Sequence, residues 1–344
     1  MQPFRLDPAT PAHGPGPHGA RQIAGGTNLV DLMRLGVERP TALVDLDRVS
    51  APALRGITRL PDGTFRIGAL TRMAEAAADT ELRRDLPMVV QSLELAASPQ
   101  IRNMASLGGN LLQRTRCPYF RDVSWPCNKR ERGSGCGAME GITRHHAILG
   151  TSDSCIAAYP GDFAQAALAL DAQIEITGQG GVRRMKLARL HRLPGATPDV
   201  ETALDADETI TAIHLPAPGW ARRSLFLKRR ERTSYSFALV SVACALDLDG
   251  DRVREVRLAL GGVATIPWRA FPAEQLLAGE RLTEECAHAA GVAAFADAVV
   301  RPDNAFKRDL GAALIARALL AARALPAARA LPAARDLPVT ETRR

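Results

Sequence analysis

Four of the six cysteines in this 344-residue chain, Cys117, Cys127, Cys136 and Cys155, lie within 39 residues at the spacing C-x9-C-x8-C-x18-C. Thiols gathered in this way can pair as disulfides, hold zinc, hold an iron–sulfur cluster or stay unligated. Disulfides belong to oxidising compartments. The leading segment "MQPFRLDPATPAHGPGPHG" has neither an apolar stretch nor a twin arginine, so no export signal is expected on this chain. Zinc sites usually carry close C-x2–4-C pairs, and none is present. A cubane iron–sulfur cluster needs four thiolates converging from a loop, with spacing less constrained. The spacing therefore favours a cluster and leaves the other three readings open. His145 and His146 are either alternative ligands or surface residues. The same stretch carries Arg114, Arg116, Arg121, Lys129, Arg130, Arg132 and Arg144. Beside a negatively charged cluster these cations favour electron acceptance; otherwise they form a solvated charged face. Cys244, in an apolar run, and Cys286, beside Glu284 and Glu285, read as structural.

Two glycine pairs offer a second chemistry. In "IAGGTNL", Gly25 and Gly26 stand between a strand and the start of a helix, where bare backbone can approach a ligand closely. Successive free N–H groups there make a concave anion site, aided by the helix start, and Thr27 and Asn28 add hydroxyl and amide groups. No Gly-Lys-Ser/Thr follows, so this is not a Walker loop, and it is not a GxGxxG fingerprint. In "SLGGNLL", Ser106 and Asn110 flank Gly108 and Gly109. Together the turns suggest a cofactor bearing a diphosphate, against the alternative of two ordinary turns.

Strands are expected at "ARQI", "TALVDL" and "TFRIGAL", with Thr27 or Asn28 capping a short helix that Gly36 ends. Residues 73–97 read as helical by their Ala and Leu spacing, 98–116 as a loop-rich stretch, and 116–156 as a long loop that apolar burial alone does not order. A helix at "DFAQAALALDA" precedes two strands, a connection over 191–207 and the strand "ETITAIHLP". Past a boundary near residue 220, "SLFLKRR", "FALVSVACALDL" and "VREVRLALGGV" form a β-meander, followed by helices near 273–279, 283–299 and 304–324. Residues 1–20 read as an irregular arm. The segment 319–344, with "AARALP" twice and then "AARDLP", is expected to be a disordered tail because a proline every six residues stops a helix.

At 46% hydrophobic and 24% charged residues the chain is expected to be soluble, with two cores rather than one. No apolar run reaches the eighteen or so residues of a membrane helix. The net charge of +7 is concentrated in residues 101–146, 221–233 and 301–344, which suits an anionic cofactor, acidic partners or nucleic acid. With aromatics at only 4%, stacking platforms for nucleic acid are few.

The motifs "IAGGTNLVDLMRLG", "IRNMASLGGNLLQRTRCPYFRD", "PCNKRERGSGCGAMEG" and "RHHAILGTSDSCIA" together resemble the FAD subunits of bacterial periplasmic-type aldehyde oxidoreductases, in the xanthine dehydrogenase family of molybdenum hydroxylases. "LKRRERTSYSFALVSVACAL" and "LALGGVATIPWRA" extend the likeness, which runs from about residue 21 to 312. The resemblance implies an α+β chain: a vanillyl-alcohol-oxidase-like (PCMH-type) FAD domain over 1–220, with the cysteine loop at 116–156, then a small domain like that of carbon monoxide dehydrogenase flavoproteins over 221–318. It implies that Ile23, Ala24, Gly25, Gly26, Thr27, Asn28 and Leu29 wrap the FAD pyrophosphate. Ser106, Gly109, Asn110 and Thr115 would continue the site, with Asp162 at the ribose or flavin and Ile210 and Lys228 returning to the cofactor. It makes Cys117, Cys127, Cys136 and Cys155 the ligands of a [4Fe–4S] cluster. Tyr235 and Phe237 could flank the flavin, with core packing the expected role of Phe237. The implied activity is electron transfer in a heterotrimer. One partner would bear the molybdenum cofactor and oxidise aldehydes to carboxylic acids, a second would bear [2Fe–2S] clusters, and an external acceptor would take the electrons from FAD. No nicotinamide fingerprint is present, which argues against NAD as that acceptor. The complex would be periplasmic by co-export with a signal-bearing partner, or cytoplasmic. A purine- or hydroxybenzoyl-CoA-type hydroxylase is the alternative within this fold. A zinc-stapled nucleic-acid-binding protein is the alternative outside it.

Overall fold

The computed structural model describes residues 2–8, 20–48 and 51–326. The expectation of a disordered repeat beyond residue 326 lies outside the described residues. Strands β1 (Arg5–Pro8) and β2 (Ala20–Ile23), helix α1 (Leu29–Arg34) and strand β3 (Ala42–Asp45) make a parallel sheet ordered β1-β3-β2. The arm expected at the N-terminus is thus partly a strand. Four residues are too few to display alternation, and the pairing partner of β1 lies far along the chain.

Strands β4 (Ile57–Arg59) and β5 (Phe65–Gly68) lead into α2 (Met73–Ala78), α3 (Thr80–Asp85) and α4 (Pro87–Glu94). These three pieces make up the helical stretch expected over 73–97. Asp79 starts a new helix by accepting the Leu82 N–H (2.8 Å), and Pro87 stands in the first turn of the next. The stretch expected to be loop-rich also holds two helices, α5 (Pro99–Met104) and α6 (Leu107–Leu111), capped by Ser98 and Ser106. Then come α7 (Pro118–Arg121) inside the cysteine loop, α8 (Phe163–Ala169), β6 (Gln173–Gly178), β7 (Gly181–Lys186) and β8 (Thr209–Leu215). The second sheet is antiparallel, in the order β4-β5-β8-β6-β7.

Strands β9 (Ser224–Arg229), β10 (Val240–Asp249), β11 (Arg252–Gly261) and β12 (Trp268–Arg269) form the antiparallel third sheet, and α9 (Phe271–Leu277), α10 (Glu284–Ala293) and α11 (Phe306–Ala324) follow. Helix α11 takes in the first six residues of the segment set aside as a tail, because the prolines begin only at Pro326. Strand β10 explains its own near-continuous apolar run. Val240, Val242, Cys244 and Leu246 pack into one core with the helices, whereas Ala243 and Ala245 on the opposite face join the core of the first domain. Small side chains on that face let the two domains close directly on one another. Asp85, buried at the end of α3, receives Arg59 (2.6 Å), Arg84 (2.8 Å) and Arg222 of the interdomain segment (2.8 Å). Arg84 foremost, then Arg59, holds this carboxyl well below the usual carboxylate range. Among the described residues no helix is long and apolar enough to cross a membrane.

Candidate functional site

A cleft of ≈ 1370 Å³ opens between the domains, larger than the usual 300–1,000 Å³ of a drug-sized site and suited to an elongated ligand. Its lining includes Ile23, Ala24, Gly25, Gly26, Thr27, Asn28 and Leu29 from the turn between β2 and α1, and Ser106, Gly109 and Asn110 from α6 and its cap. Asp162, Ile210 and Lys228 also face it. Thr115, expected among the cofactor contacts, stands beside the lining residues Arg114 and Arg116. Its hydroxyl donates to the Ala158 carbonyl (2.9 Å) and accepts from the Cys117 N–H (3.2 Å). It ties the two ends of the cysteine loop together.

The glycines divide the work. Gly26 adopts φ +69°, a left-handed conformation that side chains resist. Gly25 sits so close to α5 that a Cβ there would lie 1.8 Å from the Met104 carbonyl oxygen. Gly108 is buried against Ala69, while Gly109 is exposed toward the cleft. Asn28 does not cap α1 with its side chain. Its Oδ1 accepts the Arg114 N–H (2.9 Å), which fixes the amide orientation and leaves Nδ2 buried without a partner among the described residues. Asn110 Oδ1 and Asp162 Oδ1 are buried and unpartnered in the same way. Orphaned polar atoms lining a cleft mark where a polar ligand completes them. Asp162 Oδ2 pairs with Lys228 Nζ at 2.6 Å, both side chains nearly inaccessible, and Lys228 also donates to the Leu95 carbonyl (3.2 Å). Burial pushes the Asp162 carboxyl above its ordinary range, and the ammonium draws it back. This pair brings the second domain to the cleft.

Several lining residues have no signal in the sequence. Tyr159 is buried, donates to the carbonyls of Leu111 (3.1 Å) and Asn110 (3.3 Å), and meets His191 edge-on at 4.7 Å. Burial pulls His191 down to about 4, so its neutral ring donates to the Leu111 carbonyl (2.9 Å). The position of Tyr159 in "YPGDFA", three residues before Asp162, is the one hint the sequence offers. Phe237 is corrected from core to cleft: it is half exposed and lies under the Arg116 guanidinium (5.1 Å). Tyr235 lines the same mouth, at φ +50°.

The cysteine loop adjoins the cleft, and Arg116, Arg121, Lys129 and Arg130 line both. Its cations are mostly committed to holding it down. Arg114 binds Glu38 (2.6 Å) and Glu201 (2.6 Å), Arg121 binds Asp31, Arg132 binds Asp199 (2.9 Å) and Arg144 binds Glu231 (2.7 Å). Arg116 is different: burial and then the charge of Arg121 pull it down to about 10, and it donates to the Arg114 carbonyl. Asn128 stitches the loop through the N–H groups of Gly133 and Gly135 and the Ser154 carbonyl.

All six cysteines are free. Cys127 and Cys136 face each other across a short antiparallel bridge. Burial pushes Cys117 up to about 12, opposed by the N–H groups of Phe120 and Tyr119, and pushes Cys155 up to about 11, opposed by Lys129 and the Ala157 N–H. Each of these thiols also feels the charge of two others in the set. Such thiols become thiolates when a metal centre supplies positive charge, and N–H groups aimed at sulfur suit that state. Among the described residues no three of His, Cys, Asp and Glu converge tightly enough for a single metal ion. His146 is buried against Cys117 rather than at the surface.

A cleft with two glycine turns, held between an α+β domain and a helix-backed meander, defines a protein built to take an elongated ligand bearing a diphosphate. The model of the FAD binding domain in molybdopterin dehydrogenase matches residues 3–218, and that of the CO dehydrogenase flavoprotein C-terminal domain matches 226–322. The chain belongs to the family of FAD-binding subunits of molybdopterin dehydrogenases and is an oxidoreductase subunit. It is 46% identical over 302 residues, 88% of this chain and 91% of the relative, to the aldehyde oxidoreductase FAD-binding subunit PaoB of Escherichia coli (strain K12). It is 28% identical over 257 residues, 74% of this chain and 71% of the relative, to the xanthine dehydrogenase FAD-binding subunit of Escherichia coli O157:H7. A solved structure of carbon monoxide dehydrogenase from Hydrogenophaga pseudoflava shares the fold, with TM-score 0.71 at 24% identity, covering 94% of this chain and 99% of that one.

The orphaned Asn28 Nδ2 yields a first expected result. Asn28→Asp keeps the acceptor for Arg114 but exchanges a donor for a negative charge. FAD should bind about 10- to 100-fold more weakly, the value of one hydrogen bond to a charged group. Fluorescence titration of flavin-free protein measures it, and unchanged affinity would place the diphosphate elsewhere.

Proposed function

We propose that this chain is the FAD- and [4Fe–4S]-carrying electron-transfer subunit of a molybdenum-dependent aldehyde oxidoreductase. A partner with the molybdenum cofactor oxidises aldehydes to carboxylic acids, a partner with [2Fe–2S] clusters delivers the electrons, and an external acceptor removes them. One observation carries the reading: the glycine-turn cleft and the four-thiol loop share a wall of Arg116, Arg121, Lys129 and Arg130. Both redox groups would then sit on one chain and within one electrostatic environment.

Bound FAD supplies the exchange between one- and two-electron carriers, and a bound cluster supplies one-electron transfer. The chain's own residues do the rest. The turn from Ile23 to Leu29 offers main-chain N–H groups and Asn28 Nδ2 to a diphosphate, and Gly109 and Asn110 continue that wall. Asp162 keeps one carboxylate oxygen for the ligand while Lys228 holds the other. Tyr159 and His191 close the cleft floor with buried rings and so exclude water from it. Cys117, Cys127, Cys136 and Cys155 would hold the cluster.

Aldehydes are favoured over purines by the greater identity to the aldehyde oxidoreductase subunit. The second reading, a xanthine dehydrogenase or hydroxybenzoyl-CoA-type hydroxylase, rests on the weaker likeness and predicts turnover of those substrates instead. The compartment we propose is the periplasm, reached on a partner's signal, with the cytoplasm as the alternative that cell fractionation decides. The full chain, purified anaerobically and extracted with acid, should release FAD and iron with sulfide in the ratio of one flavin to one four-iron cluster. The complex assembled with its partners should reduce a dye with aldehydes and not with xanthine. Release of neither flavin nor iron refutes the proposal, and turnover of xanthine alone replaces it with the second reading.

A further inference from the structure

The second domain holds in place one buried imidazole of the cysteine loop, that of His146. His146 Nε2 lies 3.2 Å from Cys117 Sγ. The backbone around it is clamped from several sides. The His146 N–H donates to the Thr143 carbonyl (2.8 Å), and the His146 carbonyl accepts from Lys307 Nζ (2.9 Å). Lys307, wholly buried in α11, also donates to the Gly262 carbonyl (2.7 Å). Just before α11, Asp303 accepts the Thr143 N–H (3.1 Å) and Asn304 Nδ2 reaches the Ala147 carbonyl (3.5 Å). These contacts fix the His146 backbone, and the ring packs beside Tyr119, centroids 5.9 Å apart.

The tautomer follows from the partners. Nδ1 is buried with no hydrogen-bond partner among the described residues, so nothing there favours placing the proton on it. A cysteine that ligates metal is a thiolate and has no proton to give, so a hydrogen bond between the two groups has to be donated by Nε2.

We infer that His146 is a positioning residue that donates its Nε2–H to the Cys117 thiolate and thereby raises the reduction potential of the cluster. The inference rests on the cluster reading above. A hydrogen bond to a ligating sulfur withdraws electron density from it, and this stabilises the reduced, more negative cluster more than the oxidised one. The donor is held by Lys307, Asn304 and Asp303 of the second domain. The potential of a centre on the first domain therefore depends on the seating of the second.

The test compares His146→Phe and His146→Gln in the assembled complex, with iron and FAD content measured beside an EPR-monitored redox titration. Phenylalanine fills the buried space without a donor, whereas glutamine keeps an N–H. His146→Phe should retain wild-type iron and FAD but lower the ratio of reduced to oxidised cluster about tenfold at fixed potential, ~59 mV for a one-electron couple. His146→Gln should recover part of that shift. An unchanged midpoint in His146→Phe with iron intact overturns the inference. So does loss of iron from both variants, which would make His146 a ligand or a scaffold rather than a donor. Absence of iron from the unaltered protein is a different outcome: it removes the cluster reading itself.

Discussion

Gly25→Ala is expected to give a folded chain that no longer retains flavin, with affinity lowered a hundredfold or more. The added Cβ would lie 1.8 Å from the Met104 oxygen and 2.6 Å from its carbon, so the obstacle is main chain and not a yielding side chain. That carbonyl is itself immobilised. It accepts from Arg72 Nη1, and Arg72 Nη2 is held by Asp47 (2.8 Å). The turn must therefore retreat from α5, carrying the Asn28 donor with it. Overpacking of this kind costs about 1–3 kcal/mol where neighbours can adjust. Here the cost falls on the conformation that binds, and ~3 kcal/mol is about a hundredfold in affinity. Gly26→Ala, opposed by its positive φ and by Val30 at 3.1 Å, should weaken binding less. Gly180→Ala, with open space around it, is the control and should change nothing. Heat-released flavin per chain measures all three, and a full complement in Gly25→Ala would show that the turn does not carry the cofactor.

How much of this was legible in the sequence depended on distance along the chain. The turn around Gly25 and Gly26, the helix ended by Gly36 and the meander after residue 220 are written in neighbouring residues. So are the helix starts at Ser98 and Ser106, although a Ser-Pro and a Ser before two glycines read equally well as loop. What escaped was set by partners far away. Asn28 gave up its cap because the Arg114 amide, 86 positions on, takes its oxygen. Phe237 left the core because Arg116 covers it at the cleft mouth. Tyr159 and His191 became cleft wall through their hydrogen bonds to the Leu111 carbonyl, which no spacing announces. The cations of the cysteine loop read alike in sequence, yet five of them pair with acids contributed from elsewhere while Arg116 stands half-buried beside the cleft.

Cys155→Ser is expected to abolish iron binding while leaving FAD in place, because the loop is an excursion whose base is closed independently of its thiols. Thr115 joins the two ends through Ala158, and Tyr159 anchors the returning chain on α6, so the cleft wall beyond the loop does not require the cysteines. Within the loop the balance is different. Its apolar residues form two small clusters, Leu32 with Phe120 and Cys127, and Tyr119 with Ala138 and Ile156, while Ile148 and Leu149 join the second-domain core; three of the four cysteines belong to or pack against the small clusters. The remaining ties are hydrogen bonds to Lys307, Asp303 and Asn304 of the second domain and ion pairs, of which the exposed ones contribute about 0–1 kcal/mol each. On the proposed reading, a metal centre drawing on four points of the loop would add to these ties, as structural metals do in small domains. The variant should therefore lose iron and expose Arg132 and Arg144 to trypsin within minutes, while the flavin stays bound and aldehyde-driven electron transfer to the acceptor falls. Iron retained in Cys155→Ser would remove Cys155 from the ligand set. Iron lost together with flavin would mean that loop and cleft fold as one unit, and the closure at Thr115 would not have the independence argued for it.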